Sequence, residues 1–440
     1  MRIKEIRIFG LFGMFDHTIP LNLDSHLSII YGINGIGKTT IFKLLYFIFN
    51  LNDNKNKIQI NKIEFEKIEI EFENKNELHL LKEERYGQKI INIYIISEQV
   101  TEFDINISKI DLDVDMLWDK IRREVFPYIK RIEYDKFLYI QDNEIMSIDE
   151  VISKLYMKLP PSIRFDLSNK RTEKIKFIPD ELVKFIKQTN LFFIETQRLF
   201  SNENKSYVTE YSKEIARIIR KKQDEYEKFS ESLQLSLGHR MSSNEVNTNL
   251  TIDELKRIAL EVENRRAELK AVGLLENTEV EHFEITEDLN PIAKAVLSVN
   301  LQDMLTKLKV FDNLYLRLSK FLEILNERRL TYKKISISSK DGIIITNDNE
   351  KRLTPSDLSS GEQHELILLY LLLLKIPENS LILIDEPEIS LHIDWQSDFL
   401  KDMEDIINLR KFDIVISTHS PDIVNGRTEL TIPLHGKKNN

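Results

Sequence analysis

The chain opens on alternating apolar and polar positions, with Ile3, Ile6 and Ile8 marking a strand, and Leu27 to Tyr31 form a short apolar strand. Residues 1–30 therefore read as a hairpin. A Gly-rich turn follows, then a pattern that predicts a helix from Thr39 to Asn50. Residues 57–96 alternate again, through Ile58, Ile60, Ile63 and Phe65 and then Ile68, Ile70 and Phe72. This predicts antiparallel strands joined by polar turns such as Glu73-Asn74-Lys75-Asn76. Residues 100–190 are mixed and mostly helical in pattern, punctuated by Pro160-Pro161, and Phe192 to Ile194 reads as a buried strand.

The pattern changes over residues 203–332, which are rich in Lys, Arg, Glu and Leu and low in glycine. Leu301, Met304, Leu308, Phe311, Tyr315, Leu318, Leu322 and Leu325 recur every three or four residues, the spacing of an amphipathic helix. Two arrangements fit: a helical subdomain packed on a sheet, which is the commoner outcome, or a protruding coiled coil. Ser242 to Thr251 is polar and reads as a loop. From Lys334 strands return, at Ile335 to Ile337 and Ile343 to Ile345. Leu381 to Ile384 and Ile414 to Ile416 are continuously apolar, as parallel strands covered on both faces are. Helical patterns separate them, so the core is of the α/β class. The organisation expected is a lobe at 1–200, a helical insertion at 201–332 and a second lobe at 333–440.

Composition narrows the picture. The 440 residues are 42% hydrophobic, enough for one large core or two smaller ones. The formal net charge is −10, so any nucleic-acid contact needs a local basic groove. Arg217, Arg220, Lys221 and Lys222 form one candidate, and Arg328, Arg329, Lys333 and Lys334 another; both also read as solvated helix faces mixed with glutamates. No cysteine is present, which excludes disulfides and thiolate chemistry. The longest apolar run, Leu366 to Leu374, is about half the ~20 residues a membrane span needs, and the N-terminus lacks a signal-peptide core. A cytoplasmic protein without a membrane partner is expected.

Four motifs carry chemistry. GINGIGKT, Gly32 to Thr39, matches the phosphate-loop spacing and stands between an apolar strand and a helix. Gly32, Gly35 and Gly37 let the backbone curl with its N–H groups inward, and the helix N-terminus adds partial positive charge. Lys38 reaches phosphates and Thr39 offers a hydroxyl to Mg²⁺, with Asn34 and Thr40 completing the nucleotide-binding set. LILIDEPEISLH, Leu381 to His392, ends a buried strand in Asp385-Glu386, where ligands bind in open α/β sheets. Asp385 would hold Mg²⁺ directly or through water, and Glu386 would act as general base toward the attacking water. LSSGEQ, Leu358 to Gln363, builds a helix start; alone it is a capping box of Ser359 and Glu362. STHSP, Ser417 to Pro421, places His419 at a strand tip, where a lone histidine is more often structural.

The order of these motifs resembles the ABC ATPase superfamily, and within it the SMC and DNA-repair branch. LSSGEQ is similar to that family's signature, with Ser360 where a glycine is usual. DEPEISLH is similar to its Walker B and D-loop, and His419 to its switch histidine. The resemblance implies an ABC-type ATPase head, a mixed sheet plus an antiparallel lobe, with a helical or coiled-coil insertion. It implies ATP and Mg²⁺ as ligands and a glutamine that touches the metal: Gln197 in FIETQRLF, with Gln99 as the rival. It also implies a homodimer or higher homo-oligomer, in which Ser359 and Gly361 of one copy cap the ATP held by another.

A narrower resemblance is carried by residues 1–50 and 300–425. These are similar to stand-alone ATPases of bacterial anti-phage defence, in Septu-like, retron-associated and PARIS-type systems, cousins of the OLD-family ATPases. Such ATPases work with a separate nuclease or toxin in a toxin-antitoxin-like arrangement. The nine histidines are dispersed and little chain follows Walker B, so no HNH or Toprim nuclease is expected here and the effector is expected on another protein. The alternative is a DNA-repair-type ATPase that clamps DNA.

Overall fold

In the computed structural model the described residues are 1–106 except 52, 86, 87 and 98, short segments between 118 and 161, and residues 179–195, 207–242, 250–276 and 285–434. Two sheets dominate. The first is antiparallel, in the order β2-β1-β4-β5-β6-β7. Its strands are β1 (Ile3–Leu11), β2 (Phe15–Pro20), β4 (Lys67–Phe72), β5 (Glu77–Arg85), β6 (Gln88–Ile96) and β7 (Val100–Asn106). The second is parallel throughout, in the order β11-β15-β16-β3-β17. It comprises β3 (Leu27–Tyr31), β11 (Asn190–Glu195), β15 (Ser380–Asp385), β16 (Asp413–Thr418) and β17 (Thr431–Pro433).

Helix α1 (Lys38–Phe49) lies between the sheets. Phe42, Leu44, Leu45 and Ile48 share one core with Ile6, Ile68 and Phe72 of the first sheet and with Leu381, Leu383 and Val415 of the second. Strand residues alternate between faces, so Ile382, Ile384, Ile414 and Ile416 point the other way. There they meet a helical layer. Its members are α4 (Tyr207–Ser242), α5 (Ile252–Ala271), α6 (Pro291–Leu308) and α7 (Asp312–Glu323), with a π-helical end at Ile324–Arg329. Ile215, Ile219, Leu269, Leu318 and Phe321 are buried in the same core as the parallel strands. Both strand faces are therefore dry, which is why the sequence there shows unbroken apolar runs.

The helical segment is packed at its base rather than standing free. A separate small cluster of Leu250, Leu255, Ala259 and Leu301 holds α5 and α6 together. Along the same segment Leu235 of α4 is 89% exposed. Three strands, β12 (Lys333–Ser338), β13 (Gly342–Asn347) and β14 (Arg352–Leu353), brace α4 from outside: the Ser212 hydroxyl donates to Asp341 O at 2.8 Å. No described helix is long and apolar enough to cross a membrane.

Several expectations are corrected. The N-terminal hairpin is β1–β2 alone, because Leu27–Tyr31 joins the parallel sheet beside β16. Ile58 and Ile60 sit in helix α2 (Asn54–Lys62), not a strand. Two alternating isoleucines do not fix a period, and α2 is anchored on α1 instead, with Asn56 Nδ2 donating to Asn50 O at 2.8 Å. Much of 100–190, where the pattern predicts mostly helix, lies outside the described residues; those described include both strands and helix. They include β7 and a small sheet of β8 (Ile129–Glu133), β9 (Lys136–Tyr139) and β10 (Glu144–Met146), with α3 (Asp180–Ile186) following.

The second basic run is not an open groove. Arg329 is fully buried, Arg328 binds Asp402 and Glu323, and Lys333 binds Glu362 at 2.7 Å; Lys334 remains exposed.

Candidate active site

The chemistry-bearing residues meet where three parallel strands end. β3 runs out at Tyr31 into the Gly32–Gly37 loop, and α1 starts at Lys38. Gly37 is the N-cap with φ 100°, and a Cβ there would lie 2.6 Å from Leu11 Cδ2 and 3.3 Å from Phe12. The loop thus turns tightly against β1, and only glycine fits. Ile33, Asn34 and Gly35 form its exposed crown, whereas Ile36 is buried beneath and Thr40 is half-buried. Lys38 Nζ donates to Gly32 O at 2.7 Å and Ile33 O at 3.1 Å, so the ammonium lies under that crown. Burial pushes its pKa down, and Glu386, Glu388 and Asp385 pull it back up.

Asp385 closes β15, a strand buried along its whole length. Parallel pairing sets Asp385 beside Ser417 of β16 on one side and Glu195 of β11 on the other. Thr39 Oγ1 donates to Asp385 Oδ2 at 2.8 Å across 346 residues of sequence, and Ser417 Oγ donates to Asp385 Oδ1. Burial nevertheless raises the Asp385 pKa, and Glu195 adds to the rise against those two hydrogen bonds. Glu195 is itself paired with Lys43 of α1 at 3.0 Å.

Glu386 follows in a left-handed conformation, φ 46°, ψ 58°, with its N–H donated to Ser417 O at 2.9 Å. A non-glycine residue held there carries about 1–3 kcal/mol of strain, a cost found at functional sites. Burial raises the Glu386 pKa, reinforced by Asp385 and Glu388 and opposed by Lys38 and His419. His419 Nδ1 is 3.9 Å from Glu386 Oε1 and 3.1 Å from Glu388 Oε1.

The LSSGEQ segment folds as a capped helix. Helix α8 (Ser360–Tyr370) has Ser359 as N-cap. Glu362 N donates to Ser359 Oγ at 3.2 Å, and Ser359 N donates to Glu362 Oε2 at 2.6 Å. Gly361 abuts the loop after Glu388, since a Cβ there would lie 3.1 Å from Ser390 O. An open cavity of about 520 Å³ adjoins this helix start, with Lys333, Tyr332, His392 and Trp395 in its wall. Among the described residues no hydrogen bond or ion pair joins Ser359, Ser360 or Gly361 to the Lys38–Asp385–Glu386 group. The chain therefore brings together Lys38, Thr39, Asp385, Glu386 and His419, and does not bond the LSSGEQ residues to them.

Of the two glutamines, Gln197 lies outside the described residues; β11 ends at Glu195, level with Asp385, two positions before it. Gln99 sits in the β6–β7 turn. Strand register puts that turn at the far end of the antiparallel sheet. Leu11 abuts the phosphate loop, while Ile3 pairs with Phe72, and Glu77 with Ile96. Sequence reasoning placed Ser417 and Glu388 inside its motifs but gave neither them nor Glu195 a role in the site, because their placement comes from strand pairing and a turn.

The residues suit nucleotide and metal. Thr39 and Asp385 present oxygens only, as Mg²⁺ requires, and that ion usually takes one or two protein ligands beside phosphates and water. No group of three or more potential ligands occurs among the described residues, so no all-protein cage competes.

The family model described as AAA ATPase domain matches residues 1–424. No curated protein matches the chain. Among solved structures, the Smc head domain with an extended coiled coil from Pyrococcus furiosus, bound to the C-terminal domain of ScpA, is 12% identical. That alignment covers 99% of this chain and 94% of that one, with a TM-score of 0.36. An Smc head bound to the C-winged helix domain of ScpA is 9% identical over 96% and 91%, TM-score 0.34. The SMC head domain from Thermotoga maritima is 9% identical over 98% and 92%, TM-score 0.29.

Proposed function

The chain belongs to the AAA ATPase domain family, and from that premise we propose an ATP-driven switch: two copies close on ATP, reopen on hydrolysis and pass the change to a separate effector protein. The observation that carries this reading is the convergence of Lys38, Thr39, Asp385, Glu386 and His419 at the ends of adjacent parallel strands. Lys38 and the inward N–H groups of Gly32–Thr39 bind the phosphates. Thr39 and Asp385 hold Mg²⁺, which supplies neutralisation of phosphate charge. Glu386 orients a water and takes its proton at the carboxylate. His419 meets the terminal phosphate from the neighbouring strand end.

Two copies are needed for a physical reason. One loop grips the phosphates from one side and leaves the other open to water. Ser359 and the Gly361 N–H have no partner role in their own chain's cluster, and a second copy in head-to-tail contact would supply them. Closure then excludes water and completes the donors around the terminal phosphate.

The output reading rests on the sequence resemblance to ATPases of bacterial anti-phage defence. The helical layer of α4, α5, α6 and α7 shares its core with the strands that carry Asp385 and Ser417, so motion at the site has a path into it. A second reading, a DNA clamp, has one observation in its favour. Lys213, Arg217, Arg220 and Lys221 are exposed along one face of α4, bracketed by Glu210 and Asp224.

Glu386→Gln tests the switch. The variant keeps ATP and accumulates as a nucleotide-bound dimer in native mass measurements, while phosphate release falls about 10²–10⁴-fold. Hydrolysis at the normal rate would remove Glu386 as base. A native complex isolated from cells that holds this chain alone sinks the effector part. ATP-dependent, salt-sensitive duplex binding favours the clamp, and no binding at low salt eliminates it.

A further inference from the structure

Glu388 plays no part in the scheme above, yet it is built into the same site. It lies on the short 3₁₀ turn Pro387–Ile389 and its side chain is 7% exposed. Two hydrogen-bond donors converge on one of its oxygens, with a ring nitrogen beside it. Oε1 accepts from Thr418 Oγ1 at 2.7 Å and from His419 N at 3.0 Å, and His419 Nδ1 is 3.1 Å away. The other oxygen, Oε2, is buried and has no hydrogen-bond partner among the described residues. A carboxylate kept only to anchor a turn would use both oxygens or be replaced by a neutral side chain, because a buried unsatisfied oxygen is costly. The asymmetry needs a functional account.

His419 supplies it. Its Nδ1 stands between two carboxylates, 3.1 Å from Glu388 and 3.9 Å from Glu386. The nearer one takes the ring. We propose that Glu388 is a positioning residue that holds the His419 imidazole by Nδ1–H, turns the Nε2 edge toward the terminal phosphate, and keeps the ring off Glu386. Thr418 and the His419 N–H lock the accepting oxygen, so the carboxylate cannot swing away. Without Glu388 the ring falls back on Glu386, the group reserved for water, and both functions suffer together. This inference rests on the roles given above to Glu386 and His419.

The test is a set of variants in steady-state ATP turnover. Glu388→Ala lowers kcat by about 10- to 100-fold, the loss expected when a reacting group is displaced by an ångström. KM for ATP stays within about twofold, since the phosphate loop is untouched. Glu388→Gln keeps the accepting oxygen and recovers most of kcat. In a His419→Ala background, Glu388→Ala costs less than about twofold more, because its target is gone. Ring ¹⁵N spectra of His419 show Nδ1 protonated in the wild type and in Glu388→Gln, and the signature is lost in Glu388→Ala. An equal loss from Glu388→Ala with and without His419, or a wild-type ring spectrum in Glu388→Ala, overturns the proposal. If Glu388→Ala does not fold, Glu388→Gln with an unprotonated Nδ1 overturns it equally. Wild-type turnover in His419→Ala would instead sink the parent reading of His419, whereas a slow His419→Ala beside a fully active Glu388→Ala sinks this inference alone.

Discussion

Replacing Arg329 by methionine removes the only cation from a buried trio. The guanidinium is fully buried between Glu365 of α8, 1% exposed, and Asp402 of the helix Phe399–Arg410, 0% exposed. Nε donates to Glu365 Oε1 at 2.9 Å and Nη2 to Asp402 Oδ2. Arg328 also reaches Asp402, so that carboxylate keeps one partner in the variant; Glu365 keeps none of those shown. Burial already pushes both carboxyls above their ordinary range, and Arg329 pulls them back down. Stranding a buried charge costs about 3–5 kcal/mol. The sign with pH follows. A carboxyl whose folded pKa is raised gives its full stability below the ordinary value and loses it as pH climbs toward the raised one, at about 1.4 kcal/mol per unit. Removing Arg329 raises both carboxyls further. The deficit against wild type should therefore be about 1–2 kcal/mol at pH 5, near the ordinary carboxylate range of about 4, and about 3–5 kcal/mol at pH 8. Urea unfolding at the two pH values measures it. Combining Arg329→Met with Glu365→Met and Asp402→Asn should restore most of the loss, since a neutral cluster of similar volume has no stranded charge. A deficit below about 1 kcal/mol at pH 8, or one independent of pH, refutes the reasoning.

Other outcomes follow from single contacts. Lys38→Ala should weaken ATP binding by at least about tenfold, read by a fluorescent nucleotide, with little change in the melting temperature of the ligand-free protein. Gly37→Ala should weaken it comparably and also lower the melting temperature. Its Cβ would press on buried Leu11, 2.6 Å away, in a left-handed conformation that costs about 1–2 kcal/mol. Gly273→Ala should fail to give soluble protein, because its Cβ would sit 1.9 Å from the backbone oxygen of Ile337; a soluble, cooperatively melting variant would contradict the packing of α5 on β12.

What could be read from the sequence, and what could not, divides by the range of the physics involved. The phosphate loop was legible because its demands are local: tight turns, a lysine and a hydroxyl within eight residues, between a strand and a helix. Asp385-Glu386 was legible because an unbroken apolar run announces a strand dry on both faces and its end is where polar groups reappear. The packed helical layer was half-legible: its apolar stripe predicted burial but not the surface that buries it. The hidden parts are those set by register. Ser417 meets Asp385, and Glu195 flanks it, only because β15 pairs in parallel with β16 and β11 at those rungs. One slip would put different side chains against the carboxylate. Arg328 and Arg329 show the same limit from the other direction. In sequence they belong to a basic run that suggests a solvated or DNA-facing surface. Apart from Glu323, five positions before Arg328, their partners Glu365 and Asp402 lie 36 and 73 or 74 positions downstream, on two other helices. A run of charge states how much must be neutralised but not by what. A cation beside an apolar stripe, as Arg329 is beside Leu318, Leu322 and Leu325, is therefore better read as a candidate for a buried pair than as a surface: the helix face that buries its neighbours leaves it no water to face.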